Sequence, residues 1–316
     1  MRTANAALAA SDPKNLPSHA APHTFDKGNL ALRLGSAAAF AIFFFTLLYL
    51  GERPWAKLTW LALLAGALVM GVRELCLIAR KEGHHPSIVG GSLVGGGFLL
   101  HFYLSSGAVA ADPLPLWLVL AAGGLLIHFG ALLFSKDPLE QALSSQAITW
   151  MAALYMGLGT GFMVKLFMLD NTSLPNSGAR LILALFLIVW LGDTGAYFLG
   201  SAIGRHKLAP RVSPKKSWEG ALGNFLGNLA GAFIIRAWVC TQWTPVDAIA
   251  IALLLGLVGQ LGDLAESTWK RSAGVKDSNM GGLGIPGHGG VLDRLDSLVF
   301  AAPMLYAYVH FVHELN

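Results

Sequence analysis

The sequence predicts an all-α integral membrane protein of about nine transmembrane helices behind a disordered N-terminal tail, with the N-terminus in the cytoplasm. Three observations carry that prediction. Only 13% of the 316 residues are charged and 54% are hydrophobic, whereas soluble domains carry charge at about a quarter of their positions. Apolar runs recur along the chain, each near the ~20 residues a helix needs to cross the hydrocarbon. Lys and Arg gather in alternate connections between those runs, as the positive-inside rule requires of a spanning chain.

In chain order, residues 1–30 are rich in Ala, Ser, Pro, Asn and Lys and show no apolar period. They read as a disordered tail, and the absence of a hydrophobic core near the start separates them from a signal peptide. Apolar runs follow near 32–50, 58–79, 87–104, 114–134, 147–169, 181–203, 220–240, 247–268 and 297–314. The 87–104 run is short and holds Gly90, Gly91, Gly95, Gly96 and Gly97, a density that suits close helix packing as well as it suits a bend.

Placing the N-terminus in the cytoplasm puts sixteen Lys and Arg residues on the inner side and three (Arg53, Lys57 and Arg180) on the outer. Arg73, Lys165 and Arg236 lie near span ends, where long side chains snorkel. The net charge of +4 is thus explained by topology and anionic substrates, and no nucleic-acid partner is expected. Cys76 and Cys240 lack metal-ligand spacing and read as inert core residues. His84, His85, His101 and His128 read as structural, and the Arg73–Glu74 pair has no assigned role.

Three polar islands interrupt the second half. The largest, 262–296, lies between two apolar runs. On a helix continuing out of the first run, Asp263, Ser267 and Lys270 fall at i, i+4 and i+7 and share a face, as do Asp293 and Asp296 at i and i+3. Between them, Pro286-Gly287-His288-Gly289-Gly290 can present consecutive backbone N–H groups to an anion. Carboxylates for a hard cation, cations for phosphates and a glycine nest together point to metal-assisted chemistry on a phosphate ester. The second island is Asp193 within an apolar run; a carboxylate at membrane depth costs about 3 kcal/mol on insertion scales, so it needs a partner. A helix–helix hydrogen bond beside Thr194 would satisfy it, and so would a metal or nucleotide, which is the preferred reading. The third, 205–220, holds five cations with Ser213 and Ser217. It serves either as an orientation anchor or as a phosphate grip, with Lys215 and Lys216 the foremost candidates.

Ser267…Lys270-Arg271…Lys276-Asp277…Pro286-Gly287-His288-Gly289-Gly290…Asp293-Arg294…Asp296 resembles the signature of the phosphatidate cytidylyltransferase (CDP-diacylglycerol synthase) family. The stretches 190–197 and 213–220 resemble that family as well, whereas the N-terminal spans match it only in hydrophobicity. One departure is a longer segment at 278–285, an insertion that costs little loop-closure entropy. The resemblance implies that CTP and phosphatidate give CDP-diacylglycerol and diphosphate, with Mg²⁺ and a second cation such as K⁺. It also implies a homodimer in a bacterial inner membrane, with the active site facing the cytoplasm.

On that reading the chain divides into a tail (1–30), N-terminal transmembrane helices (31–170) and a catalytic region (171–316). Asp263, Asp293 and Asp296 are the expected metal ligands, with Ser267 and Lys270 completing the catalytic group. Asp193, Ser213, Lys215, Lys216, Arg271, Lys276, Gly287, His288, Gly289, Gly290 and Arg294 are the expected substrate contacts. Two other readings use the same residues. One is a CTP-dependent polyprenol or phytol-type lipid kinase. The other is a cation-coupled transporter, against which stand the lack of an inverted repeat and the crowding of polar residues toward one side.

Overall fold

The structure, a computed structural model, describes residues 27–106, 116–134, 138–169, 177–279 and 289–313. Among these residues it contains α1 (Lys27–Tyr49), α2 (Pro54–Lys81), α3 (Ile88–Leu104), α4 (Leu116–Leu133), α5 (Ala142–Met168), α6 (Ser177–Ile203), α7 (Trp218–Trp238), α8 (Pro245–Ser272) and α9 (Leu292–His313). A two-stranded antiparallel ribbon, β1 (Lys207–Ala209) and β2 (Ser213–Ser217), joins α6 to α7. The chain is therefore an all-α membrane protein with, among the described residues, one small β-hairpin in the cationic island at 205–220. α1 begins at Lys27, so the last residues of the expected tail are helical, while 1–26 lie outside the described residues.

Five helices, α2, α5, α6, α8 and α9, are long and apolar enough to cross a bilayer. α3 is apolar but only 17 residues long. α7 interrupts its apolar surface with Asn224, Asn228 and Arg236. Every apolar run thus became a helix, but among the described residues fewer than nine meet the length and hydropathy of a full span. Large apolar side chains such as Ile42, Val89, Leu126 and Leu257 stand exposed, which in water would be an aggregation hazard and in lipid is an ordinary outer face.

Local chemistry sets the helix ends. Pro54 and Pro245 occupy first-turn positions, where their missing N–H costs nothing. Thr244 and Asp247 form a reciprocal capping box on α8. Ser217 accepts from the Gly220 N–H at 3.1 Å, so β2 runs directly into a capped α7. Gly83 and Gly274 take positive φ just past α2 and α8, a conformation that suits glycine alone.

Glycine seams position the interior. α6 and α7 meet backbone to backbone: a Cβ at Gly195 would strike the Gly223 carbonyl, and one at Gly223 would strike Gly195. On α3, Gly95 packs against the Ala153 carbonyl of α5, so the glycine-dense run is a continuous helix with a packing face. α8 approaches α9 at Gly262, where a Cβ would collide with the Asp296 carbonyl and Phe300. Without lipid-to-protein hydrophobic drive, such close backbone contact is what holds membrane helices together.

Gly195→Val should lower the thermal unfolding midpoint in detergent, because overpacking a tight seam costs about 1–3 kcal/mol. Gly66→Ala, whose Cβ meets nothing within 4 Å, should leave the midpoint unchanged or slightly raised. Equal midpoints for the two variants would contradict the seam.

Candidate active site

The helical period of α8 places Asp263, Glu266, Ser267 and Lys270 along one face. Because Gly262 has no side chain, α9 comes close enough to bring Asp296 beside them. Carboxylate oxygens of Asp263, Glu266 and Asp296 lie within 4.8 Å of one another. Ser267 Oγ donates to Asp263 Oδ1 at 3.3 Å, and the Ser297 N–H donates to Asp296 Oδ1 at 2.7 Å. Tyr155 of α5 reaches across to the Asp296 backbone carbonyl at 3.4 Å and packs edge-on against Trp269.

Asp293, expected as the third ligand, stands elsewhere. Its Oδ1 accepts from Lys270 Nζ at 2.5 Å, and Oδ2 accepts from the Ser278 and Gly290 N–H groups at 3.2 Å each, with the Ser278 hydroxyl 2.9 Å away sharing its one proton between this oxygen and Glu74. Lys270 also pairs with Glu266 at 2.7 Å and so links the two groups. One helical turn separates Asp293 from Asp296, and that turn aims Asp293 at Lys270 while Glu266 fills the third place in the cluster.

Opposite the acids lies the hairpin. Lys216 Nζ, on β2, meets Asp263 Oδ2 at 2.6 Å. A cavity of about 430 Å³ opens between the ribbon and helices α6, α7 and α8, with Asp193, Lys207, Lys215, Lys216, Gln260 and Asp263 in its wall. Asn224 Nδ2 reaches Asp193 Oδ1 at 3.5 Å, while its own Oδ1 accepts from Asn228 and Gln260 at 2.8 and 3.0 Å. This amide chain is the partner that a carboxylate in an apolar helix demands. Glu219, just ahead of the apolar run of α7, braces the hairpin by accepting from the Arg205 and His206 N–H groups and pairing with the His206 ring at 2.6 Å. Its own backbone N–H, the His206 imidazole and those amides hold its pKa down to about 2, so it stays ionised at any physiological pH.

The remaining sequence candidates divide. Arg271 bonds the carbonyls of Val212 and Val275, tying the hairpin turn to the end of α8. Ser213 opens β2 but is absent from the cavity wall. Lys276 and Arg294 are exposed. Gly289 has φ +83° and Asp277 beside it. Gly290, expected to offer its N–H to a phosphate, donates instead to Asp293. Gly287 and His288 lie outside the described residues.

Four contributors escaped the sequence reading: Glu266, Asn224, Gln260 and Glu74. Glu266, three residues after Asp263, and Asn224 and Gln260, polar in apolar runs, left a trace. Glu74 of α2 is 2% exposed and accepts from the Val291 and Leu292 N–H groups at 2.9 and 2.8 Å. Only the fold brings it there.

Comparison with known proteins follows the same lines. The profile of the Cytidylyltransferase family matches residues 31–312. A Haemophilus influenzae protein named phosphatidate cytidylyltransferase is 38% identical over 222 residues, covering 66% of this chain and 74% of its own. Proteins of the same name from Staphylococcus epidermidis and Brucella suis biovar 1 are 42% and 49% identical over 159 and 134 residues. Those matches cover 50% and 42% of this chain and 57% and 47% of the relatives. With a family match running from α1 to α9, the chain belongs to the cytidylyltransferase family.

Proposed function

We propose that this protein is a phosphatidate cytidylyltransferase, which converts CTP and phosphatidate to CDP-diacylglycerol and diphosphate. The observation that carries the reading is a lysine-bearing hairpin joined at Asp263, in the cavity wall, to the carboxylate group that Asp263 forms with Glu266 and Asp296. Two polyanions must meet there, so charge placement is the chief catalytic problem.

The attacking atom is a phosphate-monoester oxygen of phosphatidate, already largely dianionic because its second pKa is ~6. It bonds to the α-phosphorus of CTP as the bond from that phosphorus to the β-bridging oxygen breaks, and diphosphate leaves with the electron pair. No side chain need remove a proton. Lys215, Lys216 and Lys207 line the cavity at the right place to hold phosphate oxygens. Lys270, fixed between Glu266 and Asp293, holds a positive charge beside the carboxylate cluster.

The residues suit a hard divalent cation such as Mg²⁺. All three donors are carboxylate oxygens, and Glu266 Oε1 is buried without a hydrogen-bond partner. Asp263, Asp296 and Glu266 would hold the ion, which when bound would act as a Lewis acid on the triphosphate oxygens. Asp293 then serves Lys270 instead of the metal. A second cation such as K⁺ rests on the family resemblance alone, as does the homodimer.

The charge bias of the connections supports an orientation with the N-terminus and the cavity on the cytoplasmic side, and the bacterial relatives support a bacterial inner membrane as its location. The acyl chains of phosphatidate would then stay in lipid while its headgroup reaches the cavity.

The direct test incubates purified protein in detergent with phosphatidate, labelled CTP and Mg²⁺. CDP-lipid and diphosphate are expected; phosphorylation of an added polyprenol instead would favour a lipid kinase. Asp263→Asn and Asp296→Asn should each lower kcat by at least ~100-fold. Glu266→Gln should raise the Mg²⁺ needed for half-maximal rate by about tenfold, and an unchanged Mg²⁺ profile would remove it from the ligand set. Lys216→Met should raise the KM for CTP about tenfold, the usual worth of a charge-assisted hydrogen bond.

A further inference from the structure

Glu74 presents a problem that the transfer chemistry does not solve. It sits in the C-terminal third of α2, is almost wholly buried, and lies more than 200 residues along the chain from each described group it bonds outside its own helix. Burying a carboxylate is expensive unless its oxygens are well satisfied. Among the described residues its partners are the Val291 and Leu292 N–H groups and the Ser278 hydroxyl, at 2.9, 2.8 and 2.7 Å, and none of these is a cation. Two are the free amides at the start of α9, where the helix dipole favours a negative charge. Gly290 lies so close that a Cβ there would overlap Ser278 Oγ and crowd the Glu74 carboxylate.

The contact does not end at the cap. Ser278 Oγ also lies 2.9 Å from Asp293 Oδ2. Asp293 holds Lys270, and Lys270 holds Glu266 of the carboxylate cluster. A displacement of the α9 start would therefore move Asp293, Asp296 and Lys270 together.

We propose that Glu74 is a positioning residue for cytidylyl transfer: its buried carboxylate pins the first turn of α9 and, through Ser278, holds the Asp293–Lys270 pair in register with the cluster. The inference rests on the proposed activity, and it gives the N-terminal helices a part in the site beyond a lipid-facing scaffold. Gln is a stringent probe, because its amide NH₂ would face N–H donors where an acceptor oxygen now stands.

The test compares full-length wild type, Glu74→Gln, Glu74→Asp and Ser278→Ala in detergent, with turnover normalised to folded protein. Hydrogen exchange at Val291 and Leu292 is followed alongside. Glu74→Gln should lower kcat about tenfold to a hundredfold while both KM values stay within about twofold, as for misplaced reacting groups. It should also speed exchange at those two amides at least tenfold. Glu74→Asp, which keeps both acceptors on a shorter arm, should recover part of each. Ser278→Ala should lower kcat several-fold with exchange at the two amides unchanged.

Faster exchange with unchanged kcat would reduce Glu74 to a helix cap and overturn the proposal. A fall in kcat with unchanged exchange would overturn it equally, since α9 would then not be the route. If Glu74→Gln does not fold, wild-type kcat in Ser278→Ala overturns the coupling and a reduced one supports it. Should wild type itself form no CDP-lipid, the functional reading fails, while the exchange rates still decide whether Glu74 holds α9.

Discussion

Three carboxylates held within 4.8 Å of one another at the ends of membrane helices repel whenever they are ionised together, and that repulsion is the constraint on which the rest of the structure turns. Two unit charges 4 Å apart interact by about 4 kcal/mol at an effective dielectric of 20. The protein must supply positive charge to hold the cluster, and it does so from two directions. Lys216 comes from the hairpin onto Asp263, and Lys270 comes from within α8 onto Glu266. The excess of negative charge left over is what makes the cluster suited to a divalent cation and its polyphosphate ligand.

The fold makes that cluster by removing side chains. Gly262 lets α9 approach α8, and the Gly192, Gly195, Gly223 and Gly227 seam presses α6 against α7 so that Asp193 meets Asn224. Ser217 caps α7 as the hairpin ends, which fixes Lys216 one residue before the cap of a rigid helix. Helix register, backbone approach and charge placement thus act on the same few ångströms.

Much of this was legible in the chain. The apolar runs located every helix, and the i, i+4, i+7 spacing put Asp263, Ser267 and Lys270 on one face. Lys216 was singled out with Lys215 as a phosphate grip in the cationic island, and the structure pairs it with Asp263. The hairpin was not legible, because its strands are short and carry Pro214, which argues against a strand unless it lies at an edge. Glu266 went unassigned and Asp293 lies against Lys270, because residue spacing gives a face and not the direction of a side chain. Gly290 looked like an anion nest, but a carboxylate of the chain itself had already taken its N–H. Glu74 was beyond reach for a different reason: its contacts are tertiary, and an isolated Glu beside an Arg in an apolar run admits a simple ion pair.

The central claim is that Asp263, Glu266 and Asp296 form one cation site. Electron paramagnetic resonance of Mn²⁺ titrated into the purified protein measures that site without turnover. The account predicts a protein-bound Mn²⁺ signal in wild type that is abolished in an Asp263→Asn/Asp296→Asn double variant that remains folded. Equal Mn²⁺ binding by the two proteins would contradict it.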